Sequence, residues 1–231
     1  MSTTSTPQVR VPNEIKPAGL HAGTTNLREE IRISAFPRTE TTLPAETGVW
    51  VAVAAISMCF AALISALIVR EGIAADWVHF GVPRIMYVNT FILLVSSISL
   101  EAARNSFSKA QEFERQNPAA GEKALDRARL WLLSTVALGA LFVVGQVMAW
   151  RDLVAKGLFL ASSPSSSFFY LLTAAHGLHL LGGIAGLGYA FWRIRRDPGS
   201  QETGVLSVAG VYWHFMDGLW AFLFIILVAR M

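Results

Sequence analysis

Five runs of about twenty mostly apolar residues, separated by shorter polar connections, fix the class of this chain before any motif is considered. They cover Val49 to Val69, about Ile85 to Ala103, about Leu130 to Trp150, about Phe168 to Trp192 and about Gly204 to Ala229. A helix rises about 1.5 Å per residue, so roughly 20 residues cross the ~30 Å hydrocarbon core of a bilayer. Inside that core every backbone N–H and C=O has to be paired internally, and for runs of this length the helix achieves it. The expected fold is all-α, a polytopic membrane helical bundle with five transmembrane helices. One membrane domain is expected over 47-231, behind a polar arm over 1-46 that holds Pro7, Pro12, Pro17, Pro37 and Pro44. Such a composition predicts an irregular segment. The second run is the most dilute, because Asn89, Ser96, Ser97, Ser99 and Glu101 interrupt it.

Charge agrees with this class. Charged residues are 15% of the chain and hydrophobic ones 53%, against about 25% charged in ordinary soluble domains. The net charge of +3 does not point to nucleic acid, because the basic residues flank apolar runs instead of forming a stripe on a soluble face. The single cysteine, Cys59, excludes an intrachain disulfide, and there is no CxxC or Cys/His zinc spacing. No apolar stretch follows a basic start in the arm, so a cleavable signal peptide is not expected.

Lys and Arg are unevenly divided between the connections. The arm carries Arg10, Lys16, Arg28, Arg32 and Arg38; the second connection Arg104, Lys109, Arg115, Lys123, Arg127 and Arg129; the fourth Arg193, Arg195 and Arg196. Five spans put these segments on one side, with 14 of the 19 basic residues. The positive excess marks the cytoplasmic face, which predicts a cytoplasmic N-terminus and a periplasmic C-terminus. Trp50, Trp131, Trp150 and Trp192 fall at span ends, where amphipathic rings suit the interface. The second connection, about Ser106 to Arg129, mixes acids and bases and is broken at Asn117-Pro118. It reads as a solvated loop with helical ends, with a docking surface as the alternative.

Ionisable and amide groups within the spans are the candidate functional residues: Glu101, Gln146, His176 with His179, and His214 with Asp217. Members of each pair are three apart and share a helix face. Counted from the outer ends, His179 lies roughly 16 Å deep, Asp217 18 Å, His214 22 Å and Glu101 24 Å. Depth therefore allows two cross-helix pairs, His179 with Asp217 and Glu101 with His214. Three roles fit such groups: interhelical hydrogen bonds, proton handling or lipid-headgroup contact, and metal or haem ligation. The last is the weakest, because a di-iron bundle calls for paired Glu-x-x-His motifs and none occurs. No residue is assigned as catalytic or as a metal ligand. Gly182, Gly183 and Gly186 form a small-residue face suited to close helix packing.

Several segments resemble a known family. Tyr212-Trp213-His214-Phe215-Met216-Asp217-Gly218-Leu219-Trp220 is similar to the closing helix of cytochrome c oxidase subunit III, and Ala175-His176-Gly177-Leu178-His179-Leu180-Leu181-Gly182-Gly183 to its penultimate helix. Pro164 to Thr173, Asn89-Thr90 with Ser96-Ser97 and Glu101-Ala102-Ala103-Arg104, and Gly145-Gln146 with Ala149-Trp150 follow the same order. The resemblance, over about 48–231, is to the short five-helix bacterial form of this haem-copper oxidase subunit. It implies a non-catalytic chain of the bacterial cytoplasmic (inner) membrane, beside a catalytic haem-copper subunit I, a subunit II and a small subunit IV. Haem and copper are then expected in the partner subunits, with none bound by this chain, and phospholipid is expected against it. The implied role is to stabilise the catalytic subunit and to support proton uptake and oxygen or lipid access in aerobic electron transport. His176, His179, His214 and Asp217 fall on the family's recurring polar positions. One departure is Ala55-Ile56-Ser57-Met58-Cys59-Phe60, where longer members often carry a carboxylate. Subunits of quinol oxidases and of nitric oxide reductases share the wording. A stand-alone membrane enzyme or transporter using the His/Asp/Glu cluster is the rival of a different class.

Overall fold

The computed structural model describes residues 44–73, 75–114, 117–196 and 203–231; nearly all of the expected polar arm lies outside them. The described residues form five helices: α1 (Pro44–Ile73), α2 (Ile85–Glu114), α3 (Pro118–Ala155), α4 (Pro164–Arg196) and α5 (Thr203–Arg230). All five are long and apolar enough to cross a membrane. The backbones of α2 and α3 make the most extensive pairing, α3 continues onto α4, and α5 packs against α1, α2 and α4. Phe142, Phe169, Trp213 and Trp220 are fully buried at the centre of the apolar core.

The helices outrun the apolar runs, most of all around the second connection. That connection is a helical hairpin, not a loop, with α2 continuing to Glu114 and α3 starting at Pro118. The reason lies in a seven-residue pattern of buried positions. On α2 it runs Met86, Leu93, Leu100, Phe107 and, offset by three, Asn89, Ser96, Ala103, Ala110. On α3 it runs Gly121, Ala128, Thr135, Phe142, Ala149 and, alongside, Leu132, Gly139, Gln146, Leu153. A heptad of this kind keeps one seam facing a partner helix over many turns. Here it passes from apolar sequence into the charged stretch without a break. Pro118 sits at the helix start, where its missing N–H costs nothing, and Asn117 Oδ1 accepts from Ala120 N at 3.3 Å.

At the opposite end the chain is fastened by polar contacts. Residues after α1 fold over the end of α5, where Trp77 Nε1 donates to Arg230 O at 3.2 Å and Phe80 N donates to Met231 O, and Glu71 in the last turn of α1 pairs with Arg230 at 3.0 Å. Ser165 Oγ donates to Val78 O at 2.7 Å, which ties the same segment to the start of α4. Gly157, at φ 81°, ends α3 in the left-handed region that glycine adopts without strain.

Candidate functional site

Polar side chains concentrate along the line where α2 and α5 cross the membrane antiparallel. Thr90 Oγ1 accepts from Trp220 Nε1 at 3.1 Å, and Ser96 Oγ accepts from Trp213 Nε1 at 3.1 Å. Toward the hairpin end, Ser97 Oγ lies 2.7 Å from His214 Nδ1 and Glu101 Oε1 lies 3.0 Å from His214 Nε2. Arg104 donates to the same Glu101 oxygen at 2.7 Å. From Thr90 to the Ser96–Glu101 stretch of α2 the α5 partners step back from Trp220 to Trp213 and His214, which is the register of an antiparallel pair. An α-helix returns to the same face every seven residues or so, and Thr90 with Ser97, like Trp213 with Trp220, has that spacing.

The expected cross-helix pair of Glu101 with His214 is therefore formed. Its side chains are not fully enclosed: 45% of Glu101 and 36% of His214 remain accessible on this chain. Arg104 stretches over Gly210, whose missing side chain leaves room for it; a Cβ there would lie 3.4 Å from Arg104 Cδ. A pocket of about 300 Å³ opens beside the cluster, lined by Glu101, Arg104, Asn105, Ser108, Leu206 and Ser207.

The second pair, His179 with Asp217, is not formed. His179 Nδ1 donates to Ala175 O at 2.7 Å within its own helix, and its ring meets Phe60 of α1 edge-on at 5.8 Å. Depth along a helix sets level, not azimuth, and His179 faces α1. What joins α4 and α5 at that level is Tyr212, whose hydroxyl donates to His179 O at 2.9 Å. Asp217 is 9% exposed, and neither carboxyl oxygen has a hydrogen-bond partner among the described residues. Ser97 lies close enough to influence it, but outside hydrogen-bond geometry.

His176 occupies a different environment. It is fully buried, with its ring 4.9 Å from that of Trp220 and 5.8 Å, edge-on, from that of Phe142. Among the described residues both ring nitrogens lack hydrogen-bond partners, as do both side-chain polar atoms of buried Gln146. Among the described residues, no three His, Cys, Asp or Glu side chains converge as a metal site would require.

The glycines divide as well. Gly183 is buried against Tyr212 and Trp213, and a Cβ would meet Tyr212 Cε1 at 3.1 Å. Gly182 and Gly186 make no such close approach; they line an open groove of about 360 Å³ with Val49, Tyr189, Val205 and Tyr212. The tightest approaches are at positions the sequence reading did not single out. A Cβ on Gly145 would lie 2.0 Å from Asn89 Oδ1, and one on Gly139 would lie 2.6 Å from Trp213 Cη2. Both glycines lie in or beside the α3 heptad, the signal that could have found them.

Fold and site together define a multi-pass helical membrane protein with a line of polar side chains joining α2 to α5. Comparison with known proteins makes the class specific. The family model described as cytochrome c oxidase subunit III matches residues 49–229, across all five helices. Cytochrome c oxidase subunit 3 of Thermostichus vulcanus is 32% identical over 74% of this chain and 80% of its own length. The subunit 3 of Synechocystis sp. is 30% identical over 78% and 72% respectively. A probable subunit 3 of Mycobacterium tuberculosis is 36% identical over 43% and 49%. The chain belongs to the cytochrome c oxidase subunit III family and is a subunit III of a haem-copper oxidase. Membership implies a complex with other oxidase subunits.

Proposed function

We propose that this chain is the non-catalytic subunit III of a bacterial cytochrome c oxidase in the cytoplasmic (inner) membrane. It stabilises the catalytic haem-copper subunit I and supports proton uptake and oxygen and lipid access there, with a subunit II and a small subunit IV completing the complex. Haem and copper belong to the partners, and this chain binds neither. The observation that carries the reading is the family match through all five helices. Arg104, Lys109, Lys123, Arg127, Arg129, Arg193, Arg195 and Arg196 cluster at the hairpin end, which supports placing that end in the cytoplasm. The groove floored by Gly182 and Gly186 is mostly apolar and opens on membrane-spanning helices, which supports a phospholipid acyl chain there.

The test is purification of this chain from its native membrane in mild detergent, followed by mass spectrometry and a reduced-minus-oxidised spectrum. Recovery of a large haem-bearing partner with a copper-binding subunit is the expected result. A colourless, stably folded chain recovered alone would overturn it in favour of an independent membrane protein.

A further inference from the structure

We propose that the hairpin-end part of the α2–α5 seam is a proton-holding relay, with Glu101 as its entry, His214 and Ser97 as its carriers and Asp217 as its terminus. The inference rests on reading the chain as an oxidase subunit that supports proton uptake. It adds the residues through which a proton would move within this chain.

Three observations carry it. First, its outer two links are bonded: Glu101 Oε1 to His214 Nε2 is 3.0 Å and His214 Nδ1 to Ser97 Oγ is 2.7 Å. Second, the entry is reachable: Glu101 is 45% accessible and lines the pocket with Asn105, Ser108 and Ser207. Third, Asp217 lies one turn along α5 from His214, is 9% exposed and has no hydrogen-bond partner among the described residues. An unpartnered carboxylate in a buried site costs several kcal/mol, whereas a neutral carboxyl is far cheaper to keep there. A proton delivered to Asp217 relieves that cost.

The step balances without any other reactant. In the loaded state the proton sits on His214, whose Nε2–H donates to ionised Glu101 and whose Nδ1–H donates to Ser97 Oγ, and the Ser97 hydroxyl is free to turn toward Asp217. Transfer moves one proton across each of the two inner contacts. Nδ1 loses its proton to Ser97 and Ser97 passes its own to Asp217, while Glu101 stays ionised and paired with Arg104. The product has Glu101 ionised, Nε2–H donating to it, and Ser97 donating to Nδ1. Imidazole suits this role because its two nitrogens can exchange donor and acceptor functions.

Among the described residues, most other charged or titratable groups around α5 have contacts of their own; Arg104 reaches Glu101, and the ring nitrogens of His176 stay unpartnered. On α4, His176 packs on Trp220, and His179 Nδ1 donates to Ala175 O. On α3, Arg129 pairs with Asp126 and reaches Ile194 O; on α1, Glu71 pairs with Arg230 and Arg70 with Asp76. Arg104 bonds to Glu101 and holds the entry carboxyl in place.

The test uses the intact complex, isolated through this chain and transferred to deuterated buffer, with the C=O stretch of protonated carboxyl groups followed by infrared spectroscopy. A band lost in Asp217→Asn assigns the terminus. Its exchange is expected to slow by about a hundredfold in Ser97→Ala and in Glu101→Gln, the scale of removing a positioned acid–base group. Ser97→Thr, which keeps a hydroxyl, should restore it. A purely structural seam would leave the exchange rate unchanged, and that result overturns the relay, as does the absence of any carboxyl band assignable to Asp217. Loss of haem from the isolated complex would instead count against the oxidase reading itself.

Discussion

His214 and His176 are both histidines within the membrane-spanning part of the same bundle, yet they are used in opposite ways. His214 has both ring nitrogens engaged, by Ser97 and Glu101, and is 36% accessible. His176 is fully enclosed by rings and uses neither nitrogen within this chain. The first acts through its polar atoms and the second through its shape. On the α2–α5 seam the polar groups carry the helix contact; in the α3–α4–α5 interior aromatic packing carries it, with Phe142 and Trp220 meeting at 4.8 Å and a nearly perpendicular 86°.

Trp220 belongs to both regions, and its loss should break the comparison most severely. Trp220→Ala removes the ring against His176 and Phe142 as well as the indole donor to Thr90, and should destabilise the folded chain by about 3–5 kcal/mol. Reversible unfolding in mixed micelles measures this. A value near that of a single lost hydrogen bond would mean the interior packing is far looser than the ring geometry indicates.

The two histidines can then be separated directly. His176→Ala should cost about 2–4 kcal/mol by leaving a cavity, while His176→Phe, of similar shape, should cost less than about 1.5 kcal/mol. Equal losses in the two variants would show that the ring nitrogens matter and that His176 is not a packing residue. Gly145→Ala probes the neighbouring α2–α3 contact. Its Cβ would collide with Asn89 Oδ1 at 2.0 Å, so overpacking of about 1–3 kcal/mol is expected. The same unfolding assay reads it.

How much of this was legible in the sequence follows the physics of each feature. Five spans were legible because the hydrocarbon core demands long apolar helices and little else competes with that signal. The pairing of Glu101 with His214 was legible because residue counting gives depth. His179 misled the same arithmetic, since rise per residue says nothing about which neighbour a side chain faces. The hairpin between Ser106 and Arg129 looked like a loop because its charge hid a seven-residue repeat of buried Phe107, Ala110, Gly121 and Ala128. Gly182 and Gly186 matched a packing motif yet line an open groove, while Gly139 and Gly145 make the tight approaches. Small residues permit close packing, but only the neighbouring helix decides where it occurs.

The smallest expected effects lie on the seam, and they sharpen the contrast most. Interhelical hydrogen bonds in membranes are worth about 0.6 kcal/mol on average, with a maximum near 1.7, because the separated helices also find partners. Ser97→Ala should therefore cost about 0.6 kcal/mol, and His214→Phe, which breaks two bonds, between about 1 and 2. A double-mutant cycle isolates their shared term: with His214 already Phe, removing the Ser97 hydroxyl should cost little more. Strict additivity would mean that the 2.7 Å contact contributes nothing to stability. In that event the seam would hold its helices by packing alone, as the interior does around His176, and the difference between the two histidines would be one of chemistry and not of stability.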